Sequence, residues 1–210
     1  KAYEFPKNTI THIHSIIPDP YRNGVLILTG DEDGECGIWM AENDFQKVSP
    51  LLVGGQQYRS CCAFPTKDGI LYATDTPIEN NYIYLMKQNG NKWVTEKIKE
   101  LNGSCIYSTY WKNQFVFSTT VEPDSTIKGK RFWFTYKLGK GIKNNQVEVI
   151  FGDLTKGFKC IKKYEKDILP MALFQFGTVQ FCQRDESDTL YLYPVAVKRY
   201  DSTLIALKEA

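Results

Sequence analysis

A strand–turn–strand pattern restarts about every 45 residues, and no other feature constrains this chain as strongly. Thr29-Gly30-Asp31 is echoed by Ala73-Thr74-Asp75 about 44 residues on, and by Ser118-Thr119-Thr120 after about 45 more. Turns rich in asparagine and lysine, and aromatic third strands, keep step with this period. In the first copy, alternation predicts strands over residues 12–17, 25–29, 38–40 and about 48–53. Pro18-Asp19-Pro20 and Asn23-Gly24 supply the first turn, because proline presets φ and Asn-Gly tolerates positive φ. An acidic loop follows over residues 30–37.

The second copy predicts strands over 58–64, 70–74, 82–86 and 93–98, with a polar loop at 75–81. The third begins at 104–107, returns over 115–119, makes a longer loop at 121–130, and continues as strands over 131–136 and 147–150. The fourth is the least regular, with strands over 158–163, 172–176, 179–182, 190–197 and 203–207, a turn at 184–188, and a helical turn over 164–167. A small twisted sheet cannot bury its faces alone, and stacking such sheets around an axis buries them. The expected fold is therefore all-β: a β-propeller or partial propeller with about four four-stranded blades. It is read as a single domain over 1–210, the later part of a longer propeller, and a β-sandwich is the alternative.

Composition narrows the function. Hydrophobic residues make up 42% and aromatics 14%, enough for a strand-rich core. The net charge is +2 and the lysines are scattered, so no nucleic acid is expected as a partner. No apolar run is long enough for a membrane span, and residues 1–8 lack the apolar core of a secretion signal. The six cysteines form no CxxC pair and no dense disulfide framework, which favours a reducing compartment, with Cys61, Cys62 and Cys105 as buried thiols. Neither a phosphate-binding glycine loop nor a serine-hydrolase elbow is present, and no cofactor is expected.

Both histidines fall in residues 11–40, beside the densest group of acids. Alternation points His12 and His14 to one side of a strand, where they could meet Arg59 from the next copy. Such a group grips a ligand or moves protons, or it is a hydrogen-bonded structural pole. His-x-His on a strand also ligates zinc when a third ligand is at hand, although no metal is assigned from the sequence. Asp31, Asp33 and Glu35 follow the second strand, and Asp75 and Glu79 occupy the matching loop of the next copy. Two such acids flank a glycosidic bond as acid and base, grip sugar hydroxyls, or serve as turn residues.

Met86-Lys-Gln-Asn-Gly90-Asn-Lys-Trp93 resembles a degenerate Asp box of sialidase-like propellers, keeping the glycine and tryptophan but not the serine, aspartate or threonine. His12-Ile-His14, Asp19-Pro20-Tyr21, Thr29-Gly30-Asp31 and Glu35, followed by Arg59, Asp75-Thr76-Pro77 and Glu79-Asn80, resemble the bacterial glycosyl-hydrolase-like proteins of the sialidase superfamily. The resemblance covers residues 10–86, with the rest following in blade plan only. It implies a carbohydrate-associated propeller that binds or hydrolyses a glycan at one mouth of its channel. Asp31, Asp75 and Glu79 are then the candidate catalytic acids, and His12, His14, Arg59 and Glu35 the ligand-binding residues. The chain departs from a sialidase in lacking an arginine triad, since only Arg59 stands at an inner-strand position. A non-catalytic protein-interaction or structural module is the competing reading. An incomplete propeller would also leave an open edge that pairs with a second copy as a homodimer.

Overall fold

A computed structural model describes residues 1–182 and 188–208. Among these residues the protein is all-β, with four antiparallel sheets whose strands follow one another in chain order. Two compact units emerge from the packing: Lys1–Thr76 with Tyr82–Glu100, and Pro77–Asn81 with Leu101–Ala210. No helix of the described residues is long and apolar enough to cross a membrane.

The first unit holds two four-stranded sheets. One runs β1 (His12–Asp19), β2 (Gly24–Gly30), β3 (Gly37–Glu42), β4 (Lys47–Val53). The other runs β5 (Ser60–Thr66), β6 (Gly69–Thr74), β7 (Tyr82–Asn89), β8 (Lys92–Glu100). The middle strands are apolar on both faces, so Leu26, Leu28, Ile38, Met40, Ile70, Tyr72 and Met86 bury into one core shared by the two sheets. The first turn forms as its residues dictate: Asn23 takes a φ of 51°, and Asp19 Oδ1 accepts the amides of Tyr21 and Arg22 at 3.1 and 3.2 Å. Gly24 is required there, because a Cβ would lie 2.8 Å from the Ala41 carbonyl oxygen. Trp93, the tryptophan of the degenerate box, packs on this core under the Arg22 guanidinium, which lies 5.7 Å from the ring centre.

The second unit holds β9 (Cys105–Trp111), β10 (Gln114–Thr119), β11 (Gln146–Asp153) and β12 (Gly157–Glu165) in one sheet. A three-stranded sheet follows, with β13 (Thr178–Phe181), β14 (Thr189–Val195) and β15 (Ile205–Lys208). Val116, Val147, Val149, Val179, Leu190 and Leu192 form its core.

Here the strand plan read from the sequence needs correcting. Residues 131–136 are not a strand: Lys130–Trp133 makes one helical turn after Gly129, whose φ is 66°. The aromatic alternation of this segment has no sheet to join, because β10 pairs with β11 instead, and Phe134 and Tyr136 are left exposed. The stretch expected to open a fourth copy at 158–163 is β12, the outer strand of the third sheet. Residues 172–174 turn and 175–176 are irregular chain, so among the described residues the last sheet has three strands. No helical turn forms over 164–167, where Lys166 bridges to Val197 instead. The turn expected over 184–188 lies outside the described residues except for Asp188.

Candidate functional site

The site grows from the starts of the two inner hairpins of the first unit, where β5 lies against β1 and β2. His12 and His14 open β1, Asp31 directly follows β2, Arg59 precedes β5, and Asp75 directly follows β6. A β-bulge in each first strand aims the side chains. His14 is left without a partner between Ile13–Thr29 and Ser15–Leu28, and Cys61 between Ser60–Thr74 and Cys62–Ala73. The Asp75 amide donates to the Arg59 carbonyl at 3.0 Å and so closes the second hairpin behind the site.

Asp31 is the hub. Its Oδ2 lies 3.2 Å from His12 Nδ1, and its Oδ1 lies 3.4 Å from His14 Nε2 and 3.0 Å from Arg59 Nη2. The imidazole centres of His12 and His14 are 4.6 Å apart. Arg59 Nη1 also donates to the Asp31 carbonyl at 3.2 Å, and its Nε sits 3.8 Å from Asp75 Oδ2 without a hydrogen-bond partner. One guanidinium thus holds two carboxylates. The accessibility is graded: the His12 side chain is 51% exposed and Asp31 35%, whereas His14 is 4% and Asp75 8%.

Behind this rim, the Cys61 thiol donates to Asp75 Oδ2 at 3.3 Å. Burial raises the Asp75 carboxyl above the ordinary carboxylate value, opposed by the Arg59 charge and the Cys61 hydrogen bond. Burial, reinforced by the Asp75 charge, raises the Cys61 thiol, which keeps it protonated. Gly30 provides the space. A Cβ there would stand 2.9 Å from His14 Cε1 and 3.1 Å from Arg59 Cγ.

The remaining acids of the loop hold it in place. Glu35 accepts from the Thr11 hydroxyl at 2.9 Å and the Thr11 amide at 3.2 Å, fixing the entry to β1. Asp33 accepts from Gln56 Nε2 at 2.8 Å, and the same amide group donates to the Asp31 carbonyl at 3.0 Å. Glu79 is exposed and belongs to the segment Pro77–Asn81, which packs with the second unit through Gly141 N–H to Pro77 and Asn81 Nδ2 to Gly141.

The structure therefore brings together His12, His14, Asp31, Arg59 and Asp75. It sets Glu35 on Thr11, and it places Glu79 in the other unit. Cys61 and Gly30 were not singled out as site residues from the sequence. The signal for Gly30 was its place directly before Asp31 in the repeated triplet, and Cys61 carried none, because a bulge is invisible to strict alternation. Compared with protein-family models, curated proteins and solved structures, the chain matches none of them.

Proposed function

We propose that this chain is a β-propeller, or a run of its blades, and that the cluster around Asp31 binds a carbohydrate. The observation that carries the reading is the convergence of an arginine, two aspartates and two histidines on one spot whose outer members, His12 and Asp31, reach solvent. Paired acceptors and donors of this kind grip the vicinal hydroxyls of a sugar. Four antiparallel sheets in chain order support the propeller part, as does the resemblance carried by residues 10–86.

Binding without cleavage is favoured over hydrolysis by one feature. Glycoside hydrolysis needs two carboxyl groups facing each other across the bond. Here Asp31 and Asp75 both face the same guanidinium, and Asp75 is buried behind it. A glycan screen on the full chain tests the reading: specific binding should be lost in Arg59→Ala and Asp31→Ala variants that still fold. A screen with no glycan retained, or one in which both variants bind as the parent does, overturns it. Release of reducing sugar that stops in Asp75→Asn would favour hydrolysis instead.

A further inference from the structure

We infer that His12, His14 and Asp31 form a binding site for a divalent first-row transition-metal ion, with a position left open to solvent. The inference does not depend on the carbohydrate reading. It starts from the hydrogen bond made by the far side of the His14 ring, where Nδ1 lies 3.2 Å from the Ser60 carbonyl oxygen. A carbonyl can only accept, so Nδ1 carries the hydrogen. With Nδ1 engaged there, Nε2 is the ring atom turned towards Asp31 Oδ1, 3.4 Å away. A second-sphere carbonyl on the far nitrogen is how proteins orient a metal-binding imidazole.

The spacing fits an ion. Four ligands at the usual zinc–nitrogen and zinc–oxygen distances stand about 3.3 Å apart along a tetrahedral edge. The structure holds His12 Nδ1 at 3.2 Å from Asp31 Oδ2, one such edge, and His12, His14 and Asp31 each offer one donor atom within 4.8 Å of the others. Two imidazoles and a carboxylate suit zinc and its divalent neighbours rather than calcium or magnesium, which take oxygen ligands. Arg59 grips Oδ1 of Asp31 and leaves Oδ2 facing His12, so the carboxylate is oriented without being used up. The exposure of His12 leaves the outer side of the site to water or to a ligand oxygen.

A second trio, His14, Cys61 and Asp75, lies deeper and also has donor atoms within 4.8 Å. Its thiol is committed as a donor to Asp75, so the outer trio is the site.

The test uses the untagged full chain, reduced and stripped with a chelator, titrated with Zn2+ against a chromophoric competitor. Co2+ serves as a visible-light probe of geometry. The expected result is one tight ion per chain, with Co2+ giving the intense absorption of a four-coordinate site. Asp31→Asn should weaken Zn2+ by at least about 100-fold. His14→Ala should do the same, but its ring is buried and its removal also tests folding. His12→Ala is therefore the deciding variant, because that ring is half exposed and its loss leaves the core untouched. It should lower affinity by more than about tenfold with unchanged circular dichroism. Cys61→Ser should leave affinity unchanged. Absence of binding by the parent overturns the inference, as does binding that survives His12→Ala and Asp31→Asn together.

Discussion

The two units share a strand plan and differ in what they place at its inner ends. In both, the first strand carries a bulge near its start: at His14 and Cys61 in the first unit, and at Ile106, between Cys105–Thr119 and Tyr107–Ser118, in the second. In both, a loop leaves the end of the following strand: with Asp31 and Asp75 in the first unit, and with Thr120 in the second. One bulge geometry thus serves an imidazole and a thiol in one unit and an isoleucine in the other. Charged groups of the second unit close locally instead. Asp124 takes the amide and hydroxyl of Thr126 at 2.9 and 2.6 Å, with Lys137 at 2.8 Å, and the buried Lys166 is capped by Asp167 and the Leu169 carbonyl. Backbone plan therefore does not make a site. Convergence of side chains from two sheets does.

The largest effect should follow removal of the shared cation. Arg59→Ala leaves Asp75 buried beside Asp31 with no arginine between them, and is expected to cost about 3 kcal/mol in urea unfolding. A loss below about 1 kcal/mol would mean that Arg59 is as peripheral as an exposed surface ion pair. Gly30→Ala comes next. Its Cβ must displace the His14 ring and the Arg59 stem, at a cost of about 1–3 kcal/mol and with weakened Zn2+ binding. Equal stability and affinity would show that the close approach at Gly30 has no consequence.

Ile106→His places an imidazole on the second unit's bulge. It is expected to cost about 1 kcal/mol and to add no second Zn2+ equivalent, because the neighbouring Glu122 carboxylate is taken by the Thr120 hydroxyl and no second imidazole stands beside it. A second equivalent would erase the distinction between the units. The smallest effect is a slope. Hydrogen bonds from Lys137 and Thr126 hold the Asp124 carboxyl below its ordinary value. Its contribution is therefore present above the usual carboxylate range and is lost as the pH falls through that range towards the lowered value. Asp124→Asn should flatten this acid limb of stability. An unchanged limb would remove Asp124 from the account.

Much of the first unit was readable from turn chemistry. Asn23 and Gly90 take the positive φ values expected of the turns they mark, 51° and 59°, and they bound short apolar runs that form the buried middle strands. Residues 131–136 misled because Arg-Phe-Trp-Phe-Thr-Tyr alternates like a strand, and alternation does not reveal whether a neighbouring strand is free. Slipping that one strand shifted the whole fourth copy. Of the site, Asp31 and Asp75 were accessible because the repeat aligns their loops, and His12, His14 and Arg59 because alternation turns both histidines to one side of a strand towards the next copy. The pinning roles of Glu35 and Asp33 were not, because the acids of one loop look alike until the loop is folded. The tautomer of His14 depends on a carbonyl of another strand, Ser60, and had no signature at all.

The most direct measurement exploits the fact that the chain has only two histidines. Imidazole nitrogen NMR on the full chain, before and after one equivalent of Zn2+, resolves all four ring nitrogens. The account predicts a His14 ring that carries its hydrogen on Nδ1, whose Nε2 signal moves to a metal-bound position together with His12 Nδ1, and no further change beyond one equivalent. Rings that ignore Zn2+, or a His14 ring protonated on both nitrogens in its presence, would contradict it.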